Sequence, residues 1–492
     1  MKTLMVLTLS LFCFANVVAQ WQTEYQLTTN PSYSYLSYNN AYCIASEDEK
    51  VFVAFWDSRD GSAEIYYIIS TDAGNTWLQE NRLTDFNGHS EYPSTAISAN
   101  SIHVVWCDDR EVSFYPELYY KRSTDNGLSW STDLQLTSNP SDPGLPSMAV
   151  KNNDVHVVWH DLRDGNWEIY YKRSNDNGIT WQPDLRLTDN TSISQWASIS
   201  ASGDYPDEKL YVTWQDERDG KREVYFKKST DAGTTWSEDI RLTSSTGDSE
   251  NPVISVQGDS VVIVWTDNRN GTGNGEIYFK SSVDAGITWS EDIRVTNTPV
   301  NSSMQKVILS SGIVHISWNE VWEIYYIRST DFGETWEPET RITNNPAESK
   351  NSFLSVSNTA VHLLWQDRMS GNDDIYYKKN PTGNSITSVR DNSISPFNFS
   401  LEQNYPNPFN PSTKIRFTVG DAYYASPAWI TLKVYDILGN EVTTLVNEYK
   451  PSGSYEVEFD LNSFNNTISS GIYFFTLETN QIKAVKKMIL LK

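Results

Sequence analysis

Ser70-Thr-Asp72-Ala-Gly74-Asn-Thr76-Trp77 is an eight-residue phrase that the chain repeats. It returns at Ser123 to Trp130, Ser174 to Trp181, Ser229 to Trp236, Ser282 to Trp289 and Ser329 to Trp336. The tryptophans are 53, 51, 55, 53 and 47 residues apart. Self-similarity at a period near fifty residues marks a repeat architecture. A second phrase, aromatic-x-Asp-x-Arg, stands upstream in each unit. It reads Phe55-Trp-Asp57-Ser-Arg59, then Trp106 to Arg110, Trp159 to Arg163, Trp214 to Arg218 and Trp265 to Arg269. Degenerate copies at Trp318-Asn-Glu320 and Trp365-Gln-Asp367-Arg368 bring the copies to seven.

Each unit reads as four short strands, A to D. In the third, Pro146 to Val150, Val155 to Trp159, Glu168 to Arg173 and Asp184 to Thr188 are rich in β-branched and aromatic residues. Asn, Asp and Gly separate them, and no helical period appears. Four-stranded units of this length predict an all-β fold, a seven-bladed β-propeller over residues 20–380. The strand D phrase ends at Thr84, Thr137, Thr188, Thr243, Thr296 and Thr343, while Gln26-Leu27-Thr28 stands alone before any strand C. Residues 22–28 are therefore expected to supply the outer strand of the last blade, which would remove the open edges of the array.

Both phrases admit a framework reading. Gly allows a positive φ in the first, its Asp can accept backbone N–H bonds, and its Trp can bury a large ring. Six copies of one catalytic residue would make little chemical sense, so Asp72, Asp125, Asp176, Asp231, Asp284 and Asp331 are expected to be structural. In the second phrase, Arg59, Arg110, Arg163, Arg218 and Arg269 fit either a repeated salt-bridge network or a ring that grips carboxylated sugars by bidentate contacts.

Departures from the repeat point more directly to a ligand. Trp56 and His160 follow the strand B aromatic. Trp167 and Trp322 precede the strand C acid. Trp196 and Tyr92 share one place in the D–A loops, and unit two carries the insertion Val112-Ser-Phe-Tyr115-Pro. All map to the face opposite the C–D turns, where flat rings suit stacking on sugars or rim packing between loops. Asp161, Asp164, Asn166 and Glu168 have no calcium-loop spacing, and no Cys/His cluster suggests zinc, so no metal or cofactor is expected.

The first phrase resembles the Asp box, or BNR repeat, of sialidases and related propellers. That resemblance implies an active site on the face opposite the boxes, with an arginine cluster, a tyrosine–glutamate nucleophile and an aspartate acid/base. The chain lacks the Phe/Tyr-Arg-Ile-Pro phrase that carries the family's first arginine, and its Tyr66-Tyr67 and Tyr170-Tyr171 pairs belong to strand C. No catalytic residue is assigned. The expected function is binding of a glycan or a surface protein. An exo-α-sialidase and a polysaccharide lyase on the same architecture are the alternatives.

From residue 381 to 398 the chain turns to Ser, Thr, Asn and Pro, a linker composition. Beyond it come Asn404-Tyr-Pro-Asn-Pro-Phe-Asn-Pro-Ser-Thr413, Leu432-Lys-Val-Tyr-Asp-Ile-Leu-Gly-Asn-Glu-Val442, Gly471-Ile-Tyr-Phe-Phe475 and Lys486-Lys-Met-Ile-Leu-Leu-Lys492. Residues 399–492 resemble the type A sorting domain of type IX secretion, which implies a small β-sandwich, contact with the secretion machinery and delivery outside the cell. Lys2, the apolar run Leu4 to Phe14 and Val17-Val18-Ala19 read as a removable secretory signal over residues 1–19. No later stretch is apolar enough to span a bilayer. With 38 Lys+Arg against 63 Asp+Glu, the net charge of −25 argues against nucleic acid as a partner. Cys43 and Cys107, which remain after signal removal, make no disulfide framework.

Overall fold

The computed structural model describes residues 21–38, 42–86, 88–98, 100–110, 116–138, 143–203, 207–271, 273–385, 400–419, 428–450, 453–461, 468–478 and 483–491. The expected signal and most of the expected linker lie outside them, as does the insertion Val112 to Tyr115. The chain divides into two compact units, residues 1–387 and 388–492. No helix among the described residues is long and apolar enough to cross a membrane.

The first unit holds seven antiparallel sheets among the described residues. Blade three shows the pattern: Gly144–Lys151, Asp154–Asp161, Glu168–Ser174 and Leu185–Arg186, each hydrogen-bonded to the next. Strand D is two paired residues, shorter than its sequence suggests, because Thr188 beyond it bonds through its side chain. The Ile169 amide donates to Thr188 Oγ1 at 2.8 Å, and that hydroxyl donates to the buried Glu168 carboxylate. Blade seven contains Ser349–Ser357, Ala360–Asp367 and Asp374–Asn380. Its outer strand is Tyr25–Gln26, with Tyr25 opposite Tyr377 and Gln26 opposite Tyr376. The A strands of successive blades lie against one another, and Ser349–Ser357 of blade seven lies against Ile44–Glu47 of blade one, so the ring closes.

The core is distributed between blades. One cluster joins Phe52, Ala54 and Ile65 of blade one to Ile102, Val104 and Trp106 of blade two, and equivalent clusters follow around the ring. The strand B tryptophans Trp106, Trp159, Trp214, Trp265, Trp318 and Trp365 are fully buried there. Losing one to Ala would cost about 3–5 kcal/mol.

The Asp boxes close the C–D turns. In the first, Asp72 accepts from the Ser70 hydroxyl at 2.8 Å, the Thr76 amide at 2.8 Å and the Thr76 hydroxyl at 2.6 Å. Asp125, Asp176, Asp231, Asp284 and Asp331 repeat the pattern. The box tryptophan then packs edge-on against an aromatic of the preceding blade: Trp130 on Tyr67 at 5.3 Å, Trp181 on Tyr120 at 5.0 Å, Trp289 on Phe226 at 5.1 Å. Gly178 has φ +79°, and a Cβ there would collide with the Tyr120 hydroxyl. The box glycine thus serves the turn and the approach of the neighbouring blade together.

In the second unit, a three-stranded sheet is formed by Ser400–Leu401, Ser412–Val419 and Gly453–Asp460. A four-stranded sheet is formed by Ala428–Tyr435, Glu441–Lys450, Gly471–Glu478 and Lys483–Leu490. Ile415, Phe417 and Phe459 of one sheet bury a common core with Ile430, Leu432, Val434, Phe475 and Met488 of the other. This is a small β-sandwich.

Candidate functional site

The second sequence phrase forms one repeated network. In blade two the Trp106 indole donates to Asp108 at 2.9 Å and the strand A Ser90 hydroxyl donates to it at 2.8 Å. Arg110 grips the same carboxylate through Nε at 2.7 Å and a terminal nitrogen at 2.6 Å, reaches Asp133 near strand D at 2.7 Å, and lies 4.3 Å over the Tyr119 ring. Burial pushes the Asp108 carboxyl up, but the Arg110 and Trp106 bonds hold it below the usual range. Arg59 (to Asp57 and Glu80), Arg163 (to Asp161 and Asp184), Arg218 (to Asp216 and Asp239) and Arg269 (to Asp267 and Asp292) do the same. Each stacks on its own strand C tyrosine. Two carboxylates and a ring occupy every one of the five guanidiniums.

A different feature lies near the start of strand A, at the end of the blade opposite the Asp boxes. In blade two Glu91 pairs with Cys107 and Ser94 with Val105, so two strand A residues, Tyr92 and Pro93, oppose one residue of strand B. The same bulge falls between Gly144 and Ser147, Gln195 and Ser198, Glu250 and Val253, Ser303 and Lys306, and Lys350 and Phe353. Its first unpaired residue is left-handed each time: Tyr92 (φ 55°), Leu145 (50°), Trp196 (61°), Asn251 (54°), Met304 (56°) and Asn351 (53°). Bulky side chains rarely tolerate this region, and such strain, of order 1–3 kcal/mol each, gathers at functional sites.

Four of these strained residues line one cavity of about 320 Å³, together with Tyr38. Tyr92, Leu145, Trp196 and Met304 come from blades two, three, four and six, so the cavity lies at the mouth of the central axis. Tyr38 belongs to an excursion peculiar to blade one, where strand A is split into Ser34–Tyr35 and Ile44–Glu47. Tyr42, near its end, contacts two other blades. The Tyr42 carbonyl accepts from Thr95 of blade two at 2.7 Å, and its hydroxyl donates to the Ile254 carbonyl of blade five at 3.3 Å.

The cavity's surroundings divide by blade. On the blade one to four side, Tyr35 stacks on Trp56 at 4.3 Å, Tyr38 meets Tyr92 at 5.6 Å, and Trp167 meets His160 edge-on at 4.9 Å. Burial holds His160 down at about 4, so its ring is neutral. On the blade five to seven side neutral amides and a hydroxyl stand beside Met304. Thr266 donates to Gln305 at 2.8 Å, Gln305 donates to the Asn251 carbonyl at 2.6 Å, and Asn351 donates to Gln366 at 2.7 Å. Gln366 Nε2 and Asn319 Oδ1 are buried without a hydrogen-bond partner among the described residues.

The sequence candidates separate accordingly. Trp196 and Tyr92 line the cavity, though in the strand A bulge and not in a D–A loop. His160, Trp167 and Trp56 support its aromatic side. Trp322 is 57% exposed at the tip of a tight turn after Glu320 and does not line the cavity. Tyr38, Leu145, Met304 and Tyr42 carry no sequence signal: they break no spacing, and only the bulge geometry and the split strand aim them at the axis. Cys43 and Cys107 are buried thiols. No group of three or more metal-ligating side chains occurs among the described residues.

Residues 403–491 match the family model of the secretion system C-terminal sorting domain. The chain is 26% identical over 194 residues to a Bacteroides fragilis sialidase, covering 36% of this chain and 34% of that protein. It is 26% identical over 206 residues to a Clostridium perfringens sialidase, covering 36% and 52%. It thus spans between about a third and a half of these relatives. Among solved structures, it resembles the polysaccharide lyase Uly1 (TM-score 0.48, 11% identity, 73% of this chain and 99% of that one). It also resembles a mutant Trypanosoma rangeli sialidase (TM-score 0.45, 13% identity, 83% and 85%). The chain couples a sialidase-like propeller to a type IX secretion sorting domain, which engages the secretion machinery and directs the protein out of the cell, to be secreted or displayed on the surface.

Proposed function

We propose that the propeller binds glycan outside the cell through the axial cavity opposite the Asp boxes. The observation that carries this reading is the gathering of four left-handed, bulky residues from four blades around one cavity, on a frame that otherwise repeats. Aromatic rings at a concave surface suit stacking on the apolar face of a sugar. The five repeated arginines are assigned to the blade framework, since their donors are spent on carboxylates of their own blades.

The test is glycan binding by the purified chain, by microarray and then calorimetry, beside Trp196→Ala and Tyr92→Ala variants. The expected result is binding that either variant weakens at least tenfold with the melting temperature unchanged. Binding that survives both substitutions would move the site elsewhere.

A second reading, hydrolysis of sialosides, is favoured by the sequence likeness to two proteins named sialidases. Turnover of a fluorogenic α-sialoside tests it. The expected result is none, because the five repeated arginines that could grip a sialic acid carboxylate are already paired with carboxylates of their own blades.

A further inference from the structure

We infer that the cavity takes the uncharged, methyl-bearing end of a glycan, an N-acetylhexosamine or a 6-deoxyhexose. This rests on the glycan reading above and narrows it to one chemistry. Three observations converge on it.

The first is charge. The five lining residues are all neutral. Of the cations nearby, Lys350 is met by Asp373 at 3.3 Å and Arg368 by Glu348 at 2.6 Å and Asp373 at 3.1 Å, while the Lys306 amine, two residues beyond Met304, is 2% exposed and lies 4.8 Å over the Phe353 ring. Beside Tyr92, burial raises the Glu91 carboxyl, which a second carboxylate would raise further. An acidic sugar would lose its hydration here, and Lys306, the one of these cations without a carboxylate partner among the described residues, is buried against the Phe353 ring.

The second is the character of the wall. Leu145 and Met304 offer no hydrogen bond and flank Trp196 and the tyrosines. A plain hexose has one weakly apolar face, which a single ring can cover, and its remaining edge is hydroxyls. An aliphatic patch beside the rings suits a methyl group, as carried by an acetamido or a 6-deoxy carbon. The amides of blades five to seven are likewise neutral and bond among themselves, Gln305 to the Asn251 carbonyl and Asn351 to Gln366.

The third is size. The cavity of about 320 Å³ is walled by side chains of five blades, and beside it Tyr42 reaches from blade one to blade five through its hydroxyl bond to Ile254. A space of this size suits the end of a glycan chain.

The experiment is calorimetric titration of the full chain with matched pairs. Methyl β-N-acetylglucosaminide is compared with methyl β-glucoside, methyl α-L-fucoside with methyl α-L-galactoside, and lactose with 3′-sialyllactose. The expected result is that one methyl-bearing member binds about fourfold or more tightly than its partner, the value of one buried methyl. Met304→Gln should erase that preference, and sialylation should give no gain. Equal binding within each methyl pair, or a preference for 3′-sialyllactose, overturns the inference while leaving a glycan site in place. Failure of every sugar to bind at millimolar concentration overturns both this inference and the glycan reading.

Discussion

The Thr28 hydroxyl donates to the Asp374 carboxylate at 2.8 Å across 346 residues of sequence. In the other blades the same bond joins a strand D threonine to the strand C acid of its own unit, as between Thr243 and Glu223 at 2.5 Å. The Ile375 amide completes it by donating to Thr28 Oγ1 at 2.9 Å, and Gln26 adds a bond to Asp374 at 3.1 Å. The ends of the ring are therefore tied by a copy of the internal bond. Thr28→Val should lower the unfolding free energy by about 1.5–3 kcal/mol, the range for a hydrogen bond to a charged group. Urea titration of the variant checks this. A loss below about 0.5 kcal/mol would mean that the ring is closed by other contacts.

Framework and site should separate by mutation. Arg163→Ala leaves the buried Asp161 without its cation, while Asp184 keeps Lys172 at 2.6 Å, and should cost about 3 kcal/mol. Thermal unfolding reads this cost, and glycan affinity at a temperature where the variant is folded should stay within twofold. Trp196→Ala should do the reverse. Loss of binding in Arg163→Ala at full foldedness would return the arginines to the ligand site.

Asp125 sets an acid limit. Hydrogen bonds from the Ser129 hydroxyl and amide hold its carboxyl down at about 2, against an ordinary 3.8. The depressed folded value means that the bond's contribution is complete above the unfolded value and is lost as pH falls through the folded one. The stability gap between the native chain and Asp125→Asn should be constant above about pH 4 and shrink between pH 4 and 2. Denaturation at stepped pH values measures it. A gap unchanged at pH 2 would refute the assignment.

Lys306 should give the opposite slope. It is 2% exposed, and burial pushes its ammonium down to about 7 from an ordinary 10.5. The unfolded chain then binds more protons than the folded one above pH 7, so stability rises with pH. The window to measure is pH 7 to 9, because the buried Cys43 thiol, pushed up from 9.0 to about 11, adds a contrary slope beyond it. Lys306→Met should flatten the rise and stabilise the chain most at pH 7. A Lys306→Met variant with the native slope would place the proton uptake elsewhere.

The sequence by itself determined the elements and their repetition. Ser-x-Asp-x-Gly-x-Thr-Trp and Trp-x-Asp-x-Arg are local constellations whose bonds join residues a few positions apart or strands of one blade, so their spacing carries their structure. It also determined the sorting domain, whose four landmarks lie in order along residues 404–492, and the need for an N-terminal strand, since Gln26-Leu27-Thr28 had no other partner. The tertiary structure decided what the sequence left open. The choice between an arginine ring for ligands and an ion-pair frame depended on whether Asp133, Asp184, Asp239 and Asp292 lay within reach of those guanidiniums, a matter of pairing across the sheet. The site depended on it still more. Tyr38, Tyr92, Leu145, Trp196 and Met304 are spread over 267 positions, from 38 to 304. They meet because a bulge turns one residue per blade left-handed and ring closure brings those residues to a common axis. The bulge recurs once in each of blades two to seven, at 92, 145, 196, 251, 304 and 351, but no residue type marks it, and the axis arises only from contacts between strands of different blades.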